Sequence, residues 1–190
     1  KAWQLVTHPG TSPTYRRLTA KLPPRALLRC GHFRATEEVT DAWEKTASIA
    51  RELDARFIVF QTPPSFSPGP DRLRDMYRFF KGLRRGEATM VWEPRGQGWT
   101  AKLIRRVCGD LGLVPGGDPL GGLPAEIVEA PGAAIRYWRL HGPVERGRIE
   151  YRHAYSDAEL RRLANLATGR AAWVFFNNSV MWEDAVRFAE

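Results

Sequence analysis

Cysteine is scarce in this chain. There are two in 190 residues, Cys30 and Cys108, set 78 positions apart. His32 follows Cys30 by two residues, but no second Cys or His pair stands at zinc-ligand spacing. That excludes a disulfide framework and a zinc module by pattern, and reduced thiols in a cytoplasmic protein are the expectation. Long hydrophobic runs are also missing. No apolar stretch approaches the roughly 20 residues that cross a bilayer, so no membrane partner is expected, and the first residues do not read as a secretory signal. No GxGxxG or Walker-type loop follows any apolar run, which counts against an open nucleotide-binding sheet. Strict apolar–polar alternation is absent too, so a sheet with one wet face is not expected. The chain begins with Lys1 rather than Met, and KAWQLV is read as a start inside a fold.

What is present is a globular composition, 43% hydrophobic with seven Trp. The net charge is +8, and arginine greatly outnumbers lysine. Its basic pairs are scattered: Arg16–Arg17, Arg84–Arg85, Arg105–Arg106 and Arg161–Arg162. Most fall on helical stretches opposite an apolar stripe. They read as solvated helix faces, with nucleic-acid binding through the outer surface as the alternative.

Six short apolar runs bounded by breakers predict strands: residues 1–6, 56–60, 89–93, 112–116, 135–140 and 173–176. Between them lie helical periods. In 36–53, Val39, Trp43, Ala47, Ala50 and Leu53 recur at three or four, behind Glu37 and Glu38 in the first turn. Asp71 opens a second helix, Thr100 caps a third that Gly112 stops, and SDAE at 156–159 is a capping box. Strand followed by helix, repeated, predicts parallel β/α units. Residues 7–35 and 117–132 read as long irregular connections, and neither marks a domain boundary. One domain over 1–190 is expected, a TIM-like (β/α)8 barrel with about six units present and two upstream of Lys1.

Polar residues end nearly every run, as they do at the mouth of such a barrel. Alternation puts Phe57, Val59 and Gln61 on one face, Val91 with Glu93, and Tyr137 and Arg139 with His141. If those faces point inward, Gln61, Glu93, Arg139, His141 and one of Asn177 and Asn178 converge. Burying so many polar ends without partners would cost several kcal/mol in sum, on the order of 1–3 each, so a ligand, water or metal is expected to satisfy them. Glu93 and Asp118 are read as bases, His141 as an acid or base, and Arg95 and Arg139 as anion holders. His8, Gln61, Trp99, Tyr155, Asn177 and Asn178 complete the expected binding set. Trp3, Phe66, Trp99 and Tyr155 are rings suited to stacking on a sugar or base, and core or lid packing is the alternative for each. The alternatives stay open: Glu93–Arg95 as a structural clamp, and Arg139 paired with Glu93 or Asp118. Glu93, Asp118, His141 and His8 have metal-ligand chemistry, but their spacing does not call for a metal and nearby arginines oppose a cation, so no metal is assigned.

The segments FIVFQTPPSF, VWEPRGQGW, Asp118-Pro119, YWRLHG, YRHAYSDAEL and VFFNN, in this order and spacing, resemble the YecE-like family, domain-of-unknown-function family seventy-two. LVTHPGTSPTYRRL is similar to the version in archaeal and thermophilic members. The resemblance covers essentially the whole chain. It implies a TIM-like barrel with two further upstream units, a Gly-Thr-Ser-type first strand and a Glu-x-(Asn/Gln)-x-Phe-Tyr second strand. This sequence contains neither, and it reads Phe188-Ala189 where members often read Asn-Ala. It implies no established reaction and no named cofactor. The fold's likeness to sugar-phosphate isomerases and endonuclease IV suggests a phosphate-bearing small molecule or nucleic acid as partner, with hydrolase or isomerase chemistry. This chain lacks the full metal-ligand set of an endonuclease IV enzyme. A non-catalytic binding barrel with ion pairs at its strand ends is the other reading.

Overall fold

The computed structural model describes residues 4–13, 15, 22–121, 127, 135–145 and 148–190. The chain forms two compact units, one of residues 1–99 and 109–113, the other of 100–108 and 114–190. Each is an α/β unit built on parallel strands.

In the first unit, β1 (Phe57–Gln61) pairs with β2 (Thr89–Glu93) in parallel, from Phe57 opposite Thr89 to Gln61 opposite Glu93. Helix α3 (Glu37–Glu52) precedes β1, and α4 (Pro70–Gly82) makes the crossover to β2. The expected stripe on α3 holds in its first half, where Val39 and Trp43 are buried with Ala42 and Thr46, but Ala47 and Ala50 are only partly buried and Leu53, just past the helix, is exposed. Pro70 sits in the first turn of α4, where its missing N–H costs nothing. Phe60 on β1 packs against Trp43 of α3 (5.7 Å, stacked) and Phe80 of α4 (4.9 Å, edge-on), and Phe33 touches Phe60, Phe79 and Phe80. Each such ring contributes about 1.5–3 kcal/mol by leaving water, plus the geometric preference of aromatic pairs.

Residues 1–6 do not supply the expected strand where they are described. Gln4–Thr7 is one helical turn, α1, closed by His8 N to Gln4 O at 2.7 Å. Its carbonyls turn to a loop instead of a strand: Leu5 O accepts from Gly31 N, Val6 O from Phe33 N and Thr7 O from His32 N. A short apolar run carries no period that separates strand from buried helix, which is why the expectation fails here. Gly31 is required at this crossing. Its φ is +80°, and a Cβ would stand 2.1 Å from His8 O. The connection from 7 to 35 also holds a short helix, α2 (Pro24–Arg29).

In the second unit, β3 (Val114–Gly117), β4 (Arg136–Leu140) and β7 (Ala172–Phe176) run parallel with β4 between the other two. Helix α5 (Ala101–Leu111) leads to β3, with Leu103 N donating to the Thr100 hydroxyl at 3.3 Å. After β4 comes a hairpin of two short strands, β5 (Val144–Glu145) and β6 (Arg148–Ile149). Helix α6 (Asp157–Ala167) then crosses to β7, and α7 (Met181–Ala189) follows. The predicted capping box is complete: Glu159 N donates to Ser156 Oγ, and Ser156 N to Glu159 Oε2. Trp138, Leu140 and Phe176 on the strands bury against Leu160 and Leu163 of α6, with Tyr155 closing that core. Residues 122–126 and 128–134 of the long connection before β4, with Arg16, Arg17 and Trp3, lie outside the described residues.

Candidate functional site

At the end of β1–β2, Gln61 and Glu93 occupy neighbouring positions on the same face, because Gln61 is the register partner of Glu93. Glu93 is 1% exposed. Arg95 donates Nε to its Oε1 at 2.7 Å and a terminal guanidinium nitrogen to the same oxygen. The exit from β2 is tied as well, with Thr62 N donating to Glu93 O and Trp92 Nε1 to the Thr62 hydroxyl. Proline between the two ionic residues fixes the backbone that lets Arg95 fold back onto Glu93.

His8 is buried, with its Nδ1 2.8 Å from the Thr7 hydroxyl, and Tyr15 donates to its carbonyl. A second histidine, outside the expected binding set, stands out in this unit. His32 has φ +56° and is 3% exposed, and its Nε2 lies 3.3 Å from the exposed Ser65 hydroxyl. Its Nδ1 is buried without a partner. Burial, then the charges of Arg72 and Arg34, push its pKa down to about 4, so the ring is neutral at pH 7. The signal that could have found it is Gly-His-Phe after a short helix, a tight left-handed turn carrying a non-glycine residue.

Two of the expected stacking rings belong to the first unit's core. Trp99 is 9% exposed, stacks on buried Phe66 at 5.7 Å and donates Nε1 to Phe66 O. Its ring packs within the protein, against Phe66 and edge-on to Trp92 at 4.8 Å, as the core-packing alternative has it.

The second unit gathers Asp118, Arg139, His141, Tyr155 and Asn177 around the ends of β3, β4 and β7. Asp118 is the tie. Its Oδ1 accepts from Leu120 N and Gly121 N at 2.9 and 3.1 Å, and its Oδ2 from His141 N at 3.0 Å and the Tyr155 hydroxyl at 3.4 Å. Burial raises the Asp118 pKa above the ordinary carboxylate range, against the pull of those bonds. Tyr155 is 2% exposed, and its oxygen also accepts from Gly142 N at 2.8 Å. Burial and the Asp118 charge push its phenol up, so it stays a donor. Tyr155 therefore holds the loop after β4 and packs in the core of the second unit, as the core-packing alternative has it. Gly142 has φ +95°, and a Cβ there would meet Glu150 O at 2.2 Å.

Tyr137 and Arg139 follow the predicted alternation, on the face of β4 opposite Trp138 and Leu140, and His141 continues it at the strand end. Tyr137 meets Phe175 on that face at 4.9 Å. Asn177 N donates to Leu140 O at 2.7 Å, extending the β4–β7 ladder, and its side-chain amide nitrogen stands 3.3 Å from His141 Nε2. The Asn pair divides. Asn177 is exposed beside His141, whereas Asn178 is buried and donates to His153 O and Asp184 Oδ2. Asp184, 1% exposed, also accepts from Tyr155 N and from Arg187. Asn178 thus belongs to an internal clamp. Asp184 could have been noticed as an acid on the inward stripe of the last helix. No group of three or more His, Cys, Asp or Glu side chains is arranged to hold a metal among the described residues.

The model of the family described as "Protein of unknown function DUF72" matches residues 1–190. Among solved structures, the chain is similar to a DUF72 family protein from Enterococcus faecalis V583, at TM-score 0.60 and 16% identity, covering 81% of this chain and 68% of that one. A second crystal structure of that protein gives TM-score 0.63 at 14% identity, covering 81% and 65%. A DUF72 family protein from Thermotoga maritima MSB8 gives 0.58 at 18% identity, covering 78% and 62%. The chain thus spans about two thirds of the length of these relatives, and at such identities the likeness is one of fold. No curated protein matches it. With a family model matched from the first residue to the last, and relatives of that family sharing its fold, the chain belongs to the DUF72 family.

Proposed function

We propose that the second unit binds a phosphate-bearing anion at the ends of β4 and β7, with Arg139 holding the anion and His141 moving a proton. The observation that carries this reading is the placing of Arg139 and His141 on one strand face, with exposed Asn177 3.3 Å from the imidazole. Guanidinium groups suit planar, multidentate anions, and imidazole titrates near neutral pH. The Asn177 amide can donate to His141 Nε2, which fixes how the ring is turned. Asp118 has both oxygens occupied, so it positions the His141 backbone, and the acid–base role falls to His141. The reaction class such a site serves is hydrolase or isomerase chemistry on a sugar phosphate or an abasic nucleic acid. The parallel strands, with a helix after β1, β2 and β7 and another between β4 and β7, support reading the chain as β/α units of a (β/α)8 barrel.

Calorimetric titration with ribose 5-phosphate and with inorganic phosphate tests the proposal. Arg139→Ala should weaken ribose 5-phosphate at least tenfold, and His141→Asn should leave binding within a few fold. No heat with the unaltered protein, or equal affinity in Arg139→Ala, would overturn it.

A second reading has its own observation. Glu93 closes on Arg95, which fits a non-catalytic barrel whose strand ends are structural clamps. Under that reading Glu93→Gln lowers stability and changes no binding. A loss of ribose 5-phosphate binding in Glu93→Gln, with the fold intact, would count against it.

A further inference from the structure

The first unit carries a groove of about 610 Å³ between α3 and α4, lined from α3 by Thr40, Trp43, Glu44, Ala47 and Arg51. Its other wall is Arg78, Phe79, Gly82, Leu83 and Arg84, and Arg34 closes one end with Phe33 and Ala35. Four arginines line it against one glutamate. Arg51, Arg78 and Arg84 are exposed, and none takes part in an ion pair among the described residues. Arg34 is held in place by donating to Leu28 O and Cys30 O at 3.0 and 2.8 Å. The neighbour of Arg84 explains why Arg84 faces outward. Arg85 donates to Phe80 O, Leu111 O and Gly112 O, which pins the chain after α4 and leaves Arg84 on the groove.

We infer that this groove binds the sugar–phosphate backbone of single-stranded nucleic acid, independently of the strand ends of the second unit. Its volume lies within the roughly 300–1,000 Å³ of ligand sites, but its shape favours a strand over a compact ligand. The α3 lining runs from Thr40 to Arg51, about 16 Å at 1.5 Å per residue. Arginines stand on both walls and at one end of that length, an arrangement that tracks successive phosphates. Phe79 is half-buried in the wall and gives a base an aromatic neighbour. Arg51 on α3, Arg78 on α4 and Arg84 just past its end carry like charge around one groove, and a polyanion relieves their repulsion. The three exposed arginines are the groups that release counterions, so affinity falls with salt.

Fluorescence anisotropy of a labelled oligo-dT tests this. The unaltered protein should bind, with log K falling against log salt at a slope near −2, about −0.7 for each of three contacts. Arg78→Glu/Arg84→Glu should lose at least tenfold in affinity and flatten the slope. Both side chains are exposed, and a thermal melt shows that the variant is folded. Arg161→Glu/Arg162→Glu, the same charge change on exposed positions of α6, should lose less than threefold. Equal loss in the two double variants would overturn the inference, since attraction would then be diffuse. So would absence of binding at 50 mM salt, or displacement of the oligonucleotide by poly-glutamate as readily as by unlabelled oligo-dT. Arg139→Ala in the same assay separates the two sites: unchanged oligo-dT binding is expected, and a loss as large as that of Arg78→Glu/Arg84→Glu would assign the strand to β4 and overturn the groove.

Discussion

His32 is held neutral in a left-handed turn, with its pKa near 4 against 6.5 for the free side chain. The folded state therefore binds fewer protons than the unfolded one between those values. Stability from this group is complete above pH 6.5 and is lost as pH falls toward 4, by on the order of 1–3 kcal/mol. Denaturant melts of the protein and of His32→Asn at pH 7 and pH 4.5 check this, and the difference between the two should shrink at the lower pH. A constant difference would mean that His32 binds protons equally in the folded and unfolded states over this range. Asp118 makes the other residue-level case. Asn at this position would put an amide nitrogen or a weaker acceptor against the N–H groups of Leu120, Gly121 and His141. Asp118→Asn should cost about 1–3 kcal/mol in a urea melt, with its effect on ligand affinity following from the displaced His141. The thiols are quiet by the same physics. Cys30 and Cys108 are buried, and burial pushes Cys108 up to about 12, so both should react slowly with a thiol reagent in the folded state.

Helices with a periodic stripe and a defined cap were readable in the sequence. The stripe of Val39 and Trp43 on α3 and the Ser156–Glu159 box on α6 depend on spacing within one element, and both occur as spaced. Ser156→Ala should cost about 1 kcal/mol, seen as a lower melting temperature, and Ser156→Asp should restore most of it. Leu163→Ala, which empties space beneath Trp138 and Leu140, should cost about 2–5 kcal/mol. Five of the six predicted strands form, because continuous apolar runs between breakers suit parallel strands covered on both sides. The run at 1–6 was not readable in the same way. Where described, its carbonyls pair with Gly31, His32 and Phe33, and contacts across more than 20 positions leave no mark in a local pattern. For the same reason the sequence could not tell Asn177 from Asn178. One faces His141 and the other a buried aspartate six residues on, a choice made by tertiary hydrogen bonds. Trp99 and Tyr155 were legible as rings at loop positions, but whether a ring stacks on a ligand or on its neighbours is a matter of packing.

At the scale of the whole molecule, a net charge of +8 and the arginine excess favour anionic partners, and no helix among the described residues is long and apolar enough to cross a membrane. Charge alone does not say where an anion sits. The proposed place is a strand end where a guanidinium and an imidazole stand on one face. The four histidines are His8, His32, His141 and His153, and His141 is the one assigned to the ligand. Following their ring resonances by NMR while ribose 5-phosphate is added tests that assignment most directly. His141 should shift in a saturable way, Arg139→Ala should abolish the shift, and His8, His32 and His153 should stay in place. Movement of His8 or His32 with His141 unchanged, or no movement at saturating ligand, would contradict it.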